Sequence, residues 1–155
     1  MHDYLFNKYY FINKFDSNDI NQQDKHTIII YRNYLSNKKE DELLILKLKK
    51  FCKLKGKKFY LSNNIKLAIK LNLDGVYLPS FNKNLNHKKF QYIKNFLIIG
   101  SAHTLKEIRI KEKQNVEQIF LSPIFKTKKT NKILGIFGFN NLSKYTKKPL
   151  IALGG

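Results

Sequence analysis

The sequence predicts an α/β fold of the (β/α)8 TIM-barrel type, built from seven βα units with the last strand and helix missing. Seven short apolar runs recur along the chain, and helical patterns lie between most of them. The runs are continuous and do not alternate with polar residues, which is typical of strands buried on both faces of a parallel sheet. Repeating βα units form either a doubly wound open sheet or a barrel. Seven strands favour a barrel that lacks its eighth unit.

The runs predicted as strands are residues 9–12, 27–31, 58–61, 75–78, 96–99, 118–121 and 150–153. An apolar stripe of Leu44, Leu48, Phe51 and Cys52 predicts a helix that ends at Gly56, a C-terminal cap.

Shorter stripes predict helices around Leu67–Leu71, over 105–114 and, weakly, over 139–146. The polar segment 14–26 predicts a stunted helix. The chain stops directly after a run of buried type, so we expect a fragment or a truncated reading frame of one domain spanning 9–155.

The chain carries 30 basic and 11 acidic residues, a net charge of +19. Only Arg32 and Arg109 are arginines, and the remaining basic residues are lysines spread along the whole chain. Proteins that bind nucleic acid use arginine for bidentate contacts to bases and phosphates. We therefore interpret the lysines as a product of a low-GC genome and expect no nucleic-acid partner.

No apolar run approaches the length of a transmembrane helix, and no basic stretch leads into an apolar one at the N-terminus. Cys52 is the only cysteine, which excludes an intramolecular disulfide and a zinc site built on several thiolates. We expect Cys52 in the core, no membrane partner and a cytoplasmic location. The histidines His2, His26 and His87 have no supporting context, and we expect them at the surface.

Small polar groups follow the predicted strands, at the end of a barrel where chemistry is located. Hydroxyls, open glycine backbone and a guanidinium are suited to phosphate oxygens. The candidates for such an anion site are Arg32, Ser101, Thr127, Gly154 and Gly155, and His103 follows the same strand as Ser101. Two purely structural alternatives remain: Arg32 as an ion-pair partner, and His103 as a helix cap.

Four stretches resemble the thiamine phosphate synthases and their TenI (thiazole tautomerase) relatives. They are Asp74–Leu78 (DGVYL), Ile98–His103 (IIGSAH), Leu121–Thr127 (LSPIFKT) and Pro149–Gly155 (PLIALGG). The resemblance covers about residues 9 to 155 and implies a (β/α)8 barrel that acts in thiamine biosynthesis. Synthases of this family join a pyrimidine methyl diphosphate to a thiazole phosphate and release diphosphate. The implied partners are these small phosphorylated substrates.

The resemblance also implies roles for individual residues. Arg32 and His103 match catalytic positions, and Arg32, Ser101 and Thr127 match positions that contact the diphosphate. Gly154 and Gly155 match the start of the loop that binds the thiazole phosphate.

The chain departs from the family's pattern around the expected magnesium site and the second strand. Asn63 and Asn82 stand where the family has magnesium-binding aspartates, and Ile30 replaces a glutamine of the second strand. Magnesium prefers carboxylate oxygens. We therefore predict no metal ligand in this chain, no cofactor other than Mg²⁺ if activity is retained, and reduced or lost synthase activity.

Two alternatives to the synthase stay open. A TenI-like tautomerase, or a noncatalytic thiazole-phosphate binder, needs no metal, and His103 matches the acid/base proposed for that branch. A lysine-rich protein that binds nucleic acid or another polyanion would show positive charge on one face, with exposed aromatic side chains among the lysines.

Overall fold

The computed structural model describes residues 8–33, 42–126 and 133–154. Its strands are β1 (Lys8–Ile12), β2 (Thr27–Tyr31), β3 (Phe59–Ser62), β4 (Gly75–Leu78), β5 (Leu97–Ala102), β6 (Gln118–Leu121) and β7 (Leu150–Ala152). Its helices are α1 (Ser17–Gln22), α2 (Glu42–Leu54), α3 (Ile65–Lys70), α4 (Leu105–Lys113) and α5 (Gly135–Ser143), with a short 3₁₀-helix at Asn86–Lys89.

The strands follow one another in the sheet in the order of the chain, β1-β2-β3-β4-β5-β6-β7. β1, β2 and β3 pair in parallel, and so do β5, β6 and β7. This order, with α-helices between most strands, confirms the predicted α/β class and the barrel-type succession of βα units. β2, β4 and β6 have the predicted bounds, while β5 runs three residues further than its apolar run.

The chain divides into two compact units. Unit 1 contains the described residues up to Val76, together with Ile93–Phe96. Unit 2 contains Tyr77–Tyr92 and the described residues from Leu97 onward.

In unit 1, α2 packs on β3 and buries Ile45, Leu48 and Cys52 completely. The predicted cap is confirmed, because Gly56 has φ +66° and Lys57 N–H donates to Cys52 O at 2.9 Å. Burial raises the pKa of the Cys52 thiol to about 12, which makes it an inert core residue, as predicted.

In unit 2, α4 packs on β5 and buries Ile108 completely. The connection from β4 to β5 contains no α-helix and is irregular apart from its 3₁₀-helix. The prediction for His87 on this connection was wrong, because His87 is 5% exposed. Its Nε2 lies 2.8 Å from Gln114 O and its Nδ1 lies 3.2 Å from Asn84 O.

The last part of unit 2 departs from the prediction. α5 begins at Gly135 and ends at Ser143, several residues earlier than its weak pattern suggested, and it has no buried residue. β7 is half-buried to exposed, so its prediction as a strand of buried type was wrong. The physical reason is that β7 stands at the end of the strand order and pairs only with β6 among the described residues. None of the described helices combines the length and apolar composition of a membrane span.

Candidate functional site

The carboxyl ends of β5, β6 and β7 lie at one level. Ala102 is the register partner of Leu121, and Leu121 is the register partner of Ala152. The residues that follow these three positions therefore come out beside one another at the edge of the sheet. Two of them are His103 and Ser122, which the sequence places after β5 and β6.

His103 is exposed, and its ring is oriented by the loop after β6. His103 Nδ1 lies 2.5 Å from Ser122 O and 3.3 Å from Ser122 Oγ. A carbonyl oxygen only accepts hydrogen bonds, so Nδ1 carries the proton. In the neutral ring, Nε2 then holds the lone pair and is the atom that can accept a proton from a ligand.

The backbone of His103 is also held in place. Thr104 caps α4, because its Oγ1 accepts from Glu107 N at 3.3 Å. The Glu107 carboxylate reaches back and accepts from His103 N at 2.6 Å, a variant of the capping box. The alternative that His103 itself caps α4 therefore does not hold, since Thr104 and Glu107 perform that role.

Ser101 lies in β5, two residues before His103, and is 4% exposed. A Cβ at Gly100 would lie 2.8 Å from Lys111 Cδ of α4, so Gly100 faces α4. Successive strand residues point to opposite faces, so Ser101 points away from α4. Its hydroxyl makes no hydrogen bond to another described residue, which leaves its donor available to an anion.

The sequence analysis missed Lys111, although it is fully buried in unit 2. Lys111 Nζ donates to Pro79 O, to Asn82 O and to Gln114 Oε1, each at 2.8 Å. Burial lowers the pKa of Lys111 to about 8, and the nearby Glu107 carboxylate opposes that shift. These bonds fix the chain that follows β4.

Gln114 completes the same network and is also fully buried. Its Nε2 donates to Asn82 O, Asn82 Oδ1 and Asn84 O at 3.0–3.2 Å. One observation in the sequence pointed to Lys111: Gly100 directly follows an apolar run, and a glycine within a strand indicates a close approach by another group. Here the group is the stem of Lys111.

The two asparagines at the expected magnesium positions have different surroundings. Asn82 Oδ1 accepts from Asn84 N at 3.0 Å and from Gln114 Nε2 at 3.2 Å. Asn63 is exposed, with φ 63°, and follows the end of β3 in unit 1. Two neutral amides, one of them already accepting two hydrogen bonds, do not fit Mg²⁺. The described residues contain no cluster of three or more His, Cys, Asp or Glu side chains suited to a metal.

Arg32 lies in unit 1, directly after β2. It is exposed, its guanidinium carbon lies 4.8 Å from the centre of the Phe11 ring, and its backbone N–H donates to Ile12 O at 2.7 Å. A guanidinium over an aromatic face is held in position by a cation–π contact. This contact orients Arg32 at the carboxyl end of β2.

The loops after β6 and β7 are joined near Gly154. Ile124 N donates to Leu153 O at 3.2 Å, and a Cβ at Gly154 would lie 3.1 Å from Phe125 Cδ2. Gly154 therefore permits the Phe125 ring to approach the backbone. The other two candidates from these loops, Thr127 and Gly155, lie outside the described residues.

Known proteins are similar to this chain in both sequence and fold. The family model for thiamine monophosphate synthase (TMP-TENI) matches residues 20–155. A thiamine-phosphate synthase from Bacteroides fragilis is 27% identical over 124 residues, which are 75% of this chain and 61% of the relative. One from Helicobacter pylori is 28% identical over 121 residues, 75% of this chain and 56% of the relative. The chain thus spans less than two thirds of the length of these relatives.

A solved structure has the same fold. It is a thiamine phosphate pyrophosphorylase from Pyrococcus furiosus, with a TM-score of 0.69 and 19% sequence identity over 96% of this chain and 75% of that chain. This likeness confirms the predicted barrel-type α/β fold.

Proposed function

Because this chain belongs to the thiamine monophosphate synthase family, we propose that it acts in thiamine biosynthesis as a synthase-like transferase. The proposed substrates are a pyrimidine methyl diphosphate and a thiazole phosphate. The proposed products are the monophosphate in which the two rings are joined, and diphosphate. The observation that carries the proposal is the Ser101 hydroxyl, a donor without a protein partner in the described residues at the carboxyl end of β5. A hydroxyl in this position is suited to a phosphate oxygen.

The side chains of this protein have separate tasks in the proposed reaction. The Ser101 hydroxyl donates a hydrogen bond to a diphosphate oxygen. This interaction strengthens as negative charge develops on the leaving diphosphate, so it favours the departure of that group. Arg32, in unit 1, is proposed separately as a phosphate contact through its guanidinium. Thr127, Gly154 and Gly155 are proposed as further phosphate contacts.

No step of this proposal passes through a metal. Asn63 and Asn82 supply neutral oxygens, and the Asn82 oxygen is held by Asn84 and Gln114. We therefore propose that synthase activity is reduced or lost compared with relatives that carry both aspartates.

The second candidate is a TenI-like tautomerase, and the orientation of His103 favours it. Since Nδ1 donates to Ser122 O, Nε2 can accept a proton. In this role it removes a proton from the substrate, a thiazole phosphate carboxylate, and returns it at another position of the same molecule. This role requires the exposed ring of His103 and no metal.

The phosphate site is tested by titration calorimetry with inorganic diphosphate. We expect Arg32→Ala to weaken binding by about 1.5–3 kcal/mol, the usual worth of a charge-assisted hydrogen bond. Lys58→Ala is the matched control, because Lys58 is exposed and precedes β3, at the opposite end of a strand. Equal loss in both variants would mean that diphosphate responds only to net charge, and would contradict a discrete site.

The choice between the two activities rests on His103→Asn, whose amide keeps a donor toward Ser122 O but supplies no base. For a tautomerase, proton exchange on the thiazole phosphate should fall by about 10²–10⁴-fold. For a synthase, diphosphate release should change little while the pH profile of the unmodified chain shows no histidine dependence. Unchanged proton exchange in His103→Asn would remove His103 from the tautomerase mechanism.

A further inference from the structure

A groove of about 670 Å³ lies in unit 2, between α4 and the segment that leads from α5 into β7. Four cations line it: Arg109, Lys144, Lys147 and Lys148. They are four of seven lining residues, whereas the whole chain has 30 basic residues among 155. The lysine-rich composition alone therefore does not account for this concentration. We call this feature the basic groove.

The single carboxylate in the basic groove is already neutralised. Glu112 Oε2 accepts from Arg109 Nη1 at 2.8 Å, and Glu112 Oε1 accepts from Thr146 Oγ1 at 2.7 Å. Burial opposes ionisation of Glu112, but these two bonds, together with the charges of Arg109 and Lys148, outweigh it and lower its pKa. The positive charge of Lys144, Lys147 and Lys148 is thus left for a ligand.

The basic groove is also rigid on its loop side. Thr146 Oγ1 accepts from Lys148 N at 3.1 Å while it donates to Glu112, so the backbone of the loop is tied to α4. A loop backbone that is already ordered lowers the entropic cost of binding an anion. The groove volume lies within the usual range for small-molecule sites, about 300–1,000 Å³.

Tyr145 is the aromatic member of the basic groove and is 47% exposed. An exposed ring among several cations matches a ligand that has both phosphates and a flat aromatic ring, because the ring stacks while the phosphates take the charges. We propose that the basic groove binds a nucleoside di- or triphosphate.

This proposal stands apart from the proposed reaction. The loop 144–148 precedes β7, so it lies at the amino end of that strand, whereas Ser101 and His103 lie at the carboxyl end of β5. A nucleotide bound in the basic groove would leave Ser101 and His103 accessible.

The test is titration of the unmodified chain with adenosine diphosphate, which we expect to bind with one-to-one stoichiometry in the basic groove. Lys144→Gln with Lys147→Gln should weaken this binding by about tenfold, since two charge-assisted contacts are lost. Lys83→Gln with Lys89→Gln removes the same charge from exposed positions outside the groove and should change affinity less than about twofold. Equal loss in both double variants, or no saturable binding, would overturn the proposal.

Two further measurements separate the ring from the phosphates and this site from the substrate site. Tyr145→Leu should weaken the binding of adenosine diphosphate by about fivefold and leave the binding of inorganic diphosphate unchanged. Arg32→Ala should leave adenosine diphosphate binding unchanged even where it weakens diphosphate. A decathymidylate that binds more tightly than adenosine diphosphate, with a steep salt dependence, would contradict the small-nucleotide assignment and indicate single-stranded nucleic acid.

Discussion

The β5–α4 and α5–β7 regions of unit 2 contrast in a way that their sequences do not suggest. α4 (LKEIRIKEK) is strongly charged, yet it buries Ile108 and even Lys111 completely. α5 (GIFGFNNLS) is more apolar, yet it buries nothing, and Phe137 is 92% exposed. Burial is therefore decided by the neighbours that an element has. β5 gives α4 a surface to pack on, whereas β7 has one strand partner in the described residues.

The largest expected effect comes from comparing the same substitution, isoleucine to alanine, in α4 and in α5. Ile108→Ala should lower the free energy of unfolding by about 3 kcal/mol, because it removes a fully buried side chain and leaves a cavity. Ile136→Ala, at a side chain that is 64% exposed, should change the free energy of unfolding by less than about 0.5 kcal/mol. Urea denaturation measures both. Equal values would show that α5 is packed as firmly as α4.

A second pair compares a buried with an exposed lysine. Lys111→Met should lower the free energy of unfolding by about 2–3 kcal/mol, because Pro79 O and Asn82 O each lose a hydrogen-bond donor. Lys144→Met, at an exposed position of the basic groove, should change the free energy of unfolding by less than about 0.5 kcal/mol. Hydrogen exchange of the chain after β4 should also speed up in Lys111→Met alone. If exchange there is unchanged, Lys111 does not hold this segment.

The third effect is a pH dependence that belongs to Lys111. Its pKa falls from 10.5 to about 8 in the folded chain because of burial, so between these values the unfolded chain binds a proton that the folded chain does not. The contribution of Lys111 to stability therefore rises as pH rises from about 8 to 10.5. The stability of the unmodified chain relative to Lys111→Met should grow over this window in urea titrations, by about 2–3 kcal/mol. A constant difference would show that Lys111 keeps its proton.

Several strands of the sheet were predictable from the sequence. β2, β4 and β6 are continuous apolar runs, and all of their residues are buried as that pattern predicts. The cap at Gly56 was predictable for a local reason, since only a few residue types adopt positive φ there. The run of β7 has the same character, but a short apolar sequence cannot indicate how many neighbours its strand will have.

The candidate site was predictable only in part. The positions of Ser101 and His103 after the fifth apolar run followed from their order in the sequence, because the carboxyl ends of parallel strands share one edge. The tautomer of His103 did not follow, since it depends on Ser122 O, 19 residues away. The network of Lys111 was missed because a lysine on a charged helix predicts an exposed side chain.

By itself, the sequence determined the class of the fold, the succession of strands and the family, because these depend on local periodicity and on short motifs. Only the tertiary structure decided which polar groups are buried and how they are satisfied. Asn82 is the clearest case: the sequence showed only an amide where the family has a metal-binding aspartate, whereas the structure shows its side-chain oxygen accepting hydrogen bonds from Asn84 and Gln114. The physical reason is that a buried polar atom must find a partner, and the partner is supplied by whichever segment the fold brings near it.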